Sequence, residues 1–306
     1  MTPEEAKRLL ALSRQARWTF PSSFGSPALA GEPSVAKLVP EQESVAEAAT
    51  VLVEEGDGAA ATELAANAWR LWLISGDVGG GRRFLGSVLD VGNDGPSRER
   101  SLALYGAGLL ALRAGDRLES ERRNEEALEI AQACGDSEAL ALSHLGLSRV
   151  ALENRDQEAA LAHAVRAREH AKGLEPALGQ APLHLHAQAV RLGGDYDGAA
   201  VLFEASLELN GHIGDRGMVE VELYNLGHVE VHRENAEAAA RYFDALTPDG
   251  DGDDPSRVLA DAALAYVQGD RGTAESLLAR IDEDRLPSDD RSEAEWLRSR
   301  LAEPRP

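Results

Sequence analysis

The sequence predicts an all-α fold: a solenoid of about six antiparallel helical hairpins. Three observations carry that prediction. Turns begin at Gly76-Asp77, Gly115-Asp116, Asn154-Arg155, Gly194-Asp195, Glu234-Asn235 and Gly269-Asp270, at spacings of 39, 39, 40, 40 and 35 residues. Five residues after each start stands a small side chain: Gly81, Ser120, Ala159, Ala199, Ala239 and Ala274. The composition is 43% apolar but only 5% aromatic, so Ala and Leu must build the core, which suits closely packed helices better than a sandwich or barrel.

Each element has a local reason. Glycine ends a first helix because the left-handed position carries no Cβ penalty there, and the following Asp caps the second helix. The recurrent small residue lets the two helices approach closely. Residues 3–17 read as a helix with Thr2 as N-cap, Pro3 in the first turn and Glu4 and Glu5 beside it. Residues 18–40 carry Pro21, Gly25, Pro27, Gly31 and Pro33 and read as an ordered loop or lid. A helix over 41–55 precedes hairpins at about 59–90, 97–134, 137–172, 177–210, 216–246 and 256–282. Residues 247–255 (TPDGDGDDP) are a loop, and 290–302 form a charged terminal helix. The domain organisation expected is 1–40 as N-terminal helix and loop, 41–282 as repeat array, and 283–306 as capping helix and tail.

A chain of 306 residues needs no disulfide or metal to fold, and Cys134 alone excludes a disulfide framework, CxxC redox chemistry and multi-thiolate metal sites. A net charge of −22 argues against direct nucleic-acid binding and against anionic membrane surfaces. No apolar h-region and no run of 18 apolar residues occurs, so a soluble cytoplasmic protein is expected.

The segments LYGAGLLALRAGD, LSHLGLSRVALENRD, LHLHAQAVRLGGD and LYNLGHVEVHREN resemble the first helix and turn of the tetratricopeptide repeat. The resemblance implies a right-handed superhelix whose first helices line a concave face. A period of 39–40 residues, against the usual 34, implies longer helices. The segments AANAWRLWLISGDVGGGRRFLGSVLD, ALEIAQACGDSEALALSHLGLSRVAL and SLELNGHIGDRGMVEVELYNLGHVEVH resemble the helical-repeat region of LuxR-type and antibiotic-pathway bacterial transcription regulators, over roughly 41–282. The phosphate loop and helix-turn-helix of those regulators are missing. The resemblance therefore implies a bacterial sensor or interaction part without their DNA binding or ATP hydrolysis.

Ten residues before each turn start stand Ala66, Tyr105, His144, His184, Tyr224 and Leu259. Six before stand Arg70, Leu109, Ser148, Gln188 and His228, on the same helix face. Arg113, Arg191 and His232 follow near the turns. The candidate groove is Arg70, Tyr105, Arg113, His144, Ser148, His184, Gln188, Arg191, Tyr224 and His228, a set of convergent polar groups such as a ligand site needs. Ordinary helix packing would also use such His and Tyr. Trp18, Phe20 and Phe24 either pin the loop onto the first repeats or cover a pocket as a lid.

Other motifs read as structural. His144, His184, His186 and His228 lack a carboxylate at metal-ligand spacing, so no metal is expected. Asp249, Asp251 and Asp253 open like a calcium loop, but Asp254 and Ala260 stand where Gly and Glu are needed. DVGGGRR at 77–83 follows no strand and reads as an inter-helix turn rather than a phosphate cradle. Arg122, Arg123 and Asn124 read as an exposed face with a Glu119–Arg123 pair, or as a partner contact. Ser148 near His144 or His184 lacks an orienting acid and an exposed elbow.

The function expected is non-catalytic: binding of a protein or peptide partner in the groove, with no cofactor. The alternatives are a small-molecule sensor with 18–40 as lid, and an enzyme with a groove histidine as acid or base. Groove histidines predict an affinity change between about pH 5.5 and 7.5.

Overall fold

The computed structural model describes residues 1–16, 35–91, 95–247 and 254–303. The described residues are all-α, with sixteen α-helices and no strand. The chain divides into two compact units, Met1–Ala189 and Val190–Pro306, so the division falls within the repeat array.

Unit 1 opens with α1 (Pro3–Ser13), where Thr2 and Glu5 form a reciprocal capping box. After a short 3₁₀ turn at Val39–Glu41 comes α2 (Gln42–Glu54). The first hairpin is α3 (Gly58–Ala68) and α4 (Leu71–Ser75) against α5 (Val78–Leu89). Its first helix is therefore interrupted at Trp69–Arg70, a break the apolar periodicity does not announce. The second and third hairpins are α6 (Arg98–Arg113) with α7 (Arg117–Cys134), and α8 (Ser137–Glu153) with α9 (Gln157–Ala171). α10 (Pro176–Leu192) ends in unit 2. The core of unit 1 is built from Leu9, Leu64, Trp69, Leu85, Leu104 and Leu110, all essentially inaccessible to water.

Unit 2 continues with α11 (Tyr196–Ile213), α12 (Arg216–His232), α13 (Ala236–Asp244), α14 (Pro255–Val267), α15 (Arg271–Leu278) and α16 (Ser288–Ala302). Its core gathers Val231, Phe243, Leu259, Leu286 and Leu297. The tails of the sequence reading fall elsewhere: Trp18, Phe20 and Phe24, and Asp249, Asp251 and Asp253, lie outside the described residues.

All six turns share one construction. A residue with positive φ ends the first helix: Gly76, Gly115, Arg155, Gly194, Glu234 and Gly269. The next residue, always Asp or Asn, caps the second helix, as Asp77 does on the Gly80 amide at 2.8 Å and Asp195 on the Gly198 amide at 2.8 Å. In the third turn the left-handed residue is Arg155 and the cap is Asp156, one position later than the Asn154 start read from sequence. The small residue that enters the seam there is accordingly Ala160, fully buried, rather than Ala159.

Glu234 holds the left-handed conformation at φ 58° with its side chain 82% exposed. A Cβ there costs about 1–2 kcal/mol, partly offset by the greater freedom a glycine has in the unfolded chain. Glu234→Gly is expected to raise stability by about 0.5–1 kcal/mol in urea unfolding. A loss of stability would show that the side chain, not the backbone, governs this turn.

Arg122, Arg123 and Asn124 split into two roles. Arg123 bonds Glu119 at 2.7 Å and Arg122 bonds the same carboxylate, which holds Glu119 at about 2. Asn124 is instead buried, its amide donating to the Ser120 carbonyl at 2.7 Å. It fits only because Gly108 and Gly146 flank it; a Cβ on either would stand 2.3 or 1.9 Å from the Asn124 amide.

Candidate functional site

The one-residue shift in the third turn changes which side chains share a register. Counted back from Arg155, the positions equivalent to Tyr105 and Arg70 are Leu145 and Arg149, not His144 and Ser148. The structure agrees with the shifted count. Ser148 is buried and donates to the Ala160 carbonyl at 2.9 Å, inside its own hairpin, so it is not a candidate nucleophile. His144 turns toward α9, with its Nδ1 3.0 Å from that of His163 and its ring parallel to His170 at 5.8 Å. Burial, then the neighbouring His163 and His170, lower His144 to about 4.

In unit 1, Tyr105 is buried and its hydroxyl accepts a hydrogen bond from Arg149 at 2.9 Å. Its ring meets Trp69 edge-on at 5.8 Å, and the Arg70 guanidinium lies 4.5 Å over that same indole. Burial lowers Arg70, against the opposing pull of Tyr105 and Glu138. Withdrawal from water, then the like charge of Arg149, lowers Arg113, against Glu153. The break at Trp69–Arg70 is thus what presents Arg70 to the row. Three guanidiniums from three successive first helices form a linked row: Arg70 and Arg149 at Tyr105, and Arg113 in the field of Arg149. The two carboxylates in their field also bond other arginines, Glu138 with Arg98 at 2.5 Å and Glu153 with Arg117 at 3.4 Å. Of the remaining unit 1 candidates, His184 is half-buried and Gln188 is buried.

Unit 2 has a different arrangement. His228 is fully buried, packed edge-on against Tyr224 at 4.6 Å and Phe243 at 5.2 Å, and burial lowers it to about 4. It is a core residue. Tyr224 is pushed well above its ordinary value by burial and by the adjacent Asp290 and Glu293 carboxylates. Glu293, on α16, receives Arg191 at 2.8 Å on one oxygen and lies 2.8 Å from His232 Nε2 on the other. Burial alone would raise Glu293; the His232 hydrogen bond and the Arg191 charge outweigh it and hold the carboxyl at about 2. The His232 ring stacks on Tyr196 at 4.3 Å and faces Trp296 at 3.9 Å.

The structure therefore brings together Arg70, Tyr105 and Arg113 in unit 1, and Arg191, Tyr224 and His228 in unit 2. Sequence reasoning missed Arg149, Glu293 and Trp296. Arg149 was recoverable: Asp caps four other turns, and Asp156 is the only Asp available in the third, which fixes the register. No group of three His, Cys, Asp or Glu among the described residues is placed to hold a metal ion. His144 and His228, both at about 4, are neutral between pH 5.5 and 7.5. An affinity change in that range would not come from them.

This fold, two helices per repeat with the first helices in a row, defines a helical-hairpin repeat protein. No protein-family model matches the chain, and no curated protein does. Solved structures do. One of pilF from Pseudomonas aeruginosa is 17% identical, over 77% of this chain and 96% of that one, with a TM-score of 0.52. A tetratricopeptide repeat protein from Parabacteroides merdae is 12% identical, over 85% of this chain and 99% of that one, with a TM-score of 0.50. These likenesses show the fold, an all-α solenoid of the tetratricopeptide type. No helix among the described residues is long and apolar enough to cross a membrane.

Proposed function

We propose that the chain is a non-catalytic interaction scaffold whose first-helix row in unit 1 holds a carboxylate-bearing segment of a partner protein. The observation that carries this reading is the row Arg70, Arg149 and Arg113: Arg149 donates to the Tyr105 hydroxyl, Arg70 lies in the field of that tyrosine, and Arg113 lies in the field of Arg149. Guanidinium groups present planar paired donors that match a carboxylate, and they hold their charge when partly buried. In a chain of net charge −22 such a cluster is a local positive island, able to select an acidic segment. The fold by itself supports partner binding only by analogy. A regulatory role and a bacterial source rest on the sequence resemblance to the repeat region of LuxR-type regulators alone.

The test is fluorescence anisotropy with labelled peptides rich in Glu and Asp, against neutral and basic controls of equal length. Acidic peptides are expected to bind and to weaken as sodium chloride is raised. Arg113→Ala and Arg149→Lys are each expected to reduce their affinity about 10-fold or more, since one charge-assisted hydrogen bond is worth about 1.5–3 kcal/mol. Equal binding of neutral peptides, or variants that bind like the parent, would end the reading. Tight binding of a small dicarboxylate without peptide binding would replace the scaffold with the small-molecule sensor.

A further inference from the structure

α16 does more than cover the end of unit 2. A terminal helix needs only an apolar stripe to close a helical array, and α16 has one in Ala294, Leu297 and Leu301, all buried. It also carries a polar and aromatic edge that a cap does not require. Asp290 accepts from Ser256 at the start of α14. Glu293 reaches Arg191, more than a hundred residues away in sequence, and His232. Trp296 lies between His232 and Tyr266, 3.9 Å from the first and edge-on at 5.9 Å to the second. Arg191, His232, Ser256 and Tyr266 belong to α10, α12 and α14, three successive first helices of the array. α16 thus lies along the row of first helices and takes its polar and aromatic contacts from three of them. A buried carboxylate costs several kcal/mol of desolvation unless its partners are well placed, so this pairing contributes specificity more than bulk stability.

We propose that the first-helix row of unit 2 is a helix-binding site that recognises a glutamate and a tryptophan one turn apart, and that α16 is its internal occupant, displaced by a partner helix of the same chemistry. The recognition elements are on the page. Arg191 and His232 take the carboxylate, and His232 and Tyr266 take the indole, while a stripe of Leu fits beneath. Glu293 and Trp296 are three residues apart, so a competing helix must present them on one face. The link between α15 and α16 is short and holds only a 3₁₀ turn at Glu283–Arg285, which lets α16 leave without unravelling a hairpin. The inference is independent of the acidic-segment reading of unit 1, and its test touches none of Arg70, Arg113 or Arg149.

The probe is a labelled peptide with the sequence of residues 287–303, added to the full chain carrying Glu293→Ala and Trp296→Ala. Those changes weaken the internal helix and leave its receptor intact. The peptide is expected to bind this variant at least 10-fold more tightly than the parent chain. The same peptide with Glu293→Gln or Trp296→Ala is expected to lose at least 10-fold. A folded variant that ignores the peptide, or a parent that binds it equally well, would overturn the proposal. Should the double variant fail to fold, hydrogen exchange on the parent decides. Amides of 288–302 are expected to exchange at least 100-fold faster than those of 216–232. Exchange of both segments at one rate would make α16 an integral part of the core and would refute the displaceable helix.

Discussion

Gly227→Ala is expected to lower the stability of unit 2 by about 1–3 kcal/mol, although alanine is a better helix former than glycine by about 1 kcal/mol. Gly227 lies within α12, and a Cβ there would stand 2.2 Å from Cε1 of Phe243 on the paired helix α13. The phenyl ring has no room to retreat: it is fully buried and packs against His228 and Tyr224. Phe243→Ala alone is expected to cost about 3–5 kcal/mol through the cavity it leaves. The two changes together are expected to cost less than their sum, because the new methyl group enters space the ring has vacated. The coupling should be about 0.5–3 kcal/mol in a double-mutant cycle read by urea unfolding. A Gly227→Ala chain as stable as the parent would show that the two helices are not in the contact described, and additivity would show that the glycine has another purpose.

The turn chemistry, and the small residue in every seam but the third, were legible in the sequence, because each depends on local backbone demands. A left-handed residue and an N-cap must be adjacent wherever a first helix ends, and Gly-Asp states that demand plainly at four turns. It was less plain at Asn154-Arg155-Asp156, where a non-glycine residue accepts the left-handed conformation, and reading the start one residue early exchanged Arg149 for Ser148. On a helix a one-residue step turns a side chain by about 100°, enough to move it from the row around Tyr105 to the seam of its own hairpin. Glu293 and Trp296 were illegible for another reason. Their meaning depends on where α16 docks, and docking of a terminal helix is a long-range event that periodicity does not encode. His228 was placed in the right register but assigned to a groove, because spacing does not distinguish a half-exposed histidine from one packed under Phe243.

That burial makes a second large effect. His228 is lowered by burial to about 4 from an ordinary value of 6.5, so the unfolded chain takes up a proton that the folded one refuses. Stability therefore falls as pH drops from about 6.5 toward 4 and is unaffected by this group above that range. The full difference corresponds to about 3 kcal/mol, at one pKa unit for each ~1.4 kcal/mol. Glu293 acts in the next window down. Held at about 2 in the fold against 4.5 ordinarily, it adds stability above pH 4.5 that is lost as pH falls toward 2. Unit 2 is thus expected to weaken twice on acidification, first through His228 and then through Glu293. His144 in unit 1 has the same sign as His228, with a smaller contribution because it is only half-buried and partly screened by water. Urea unfolding of the parent and of His228→Asn between about pH 2.5 and 7 separates these terms. The substitution is expected to reduce stability at pH 7 and to flatten the decline toward pH 4.5, while leaving the steeper loss below pH 4 intact. Parallel curves for the two chains would show that His228 does not carry the first transition, and a pH-independent parent would mean that its ring is hydrated in the fold.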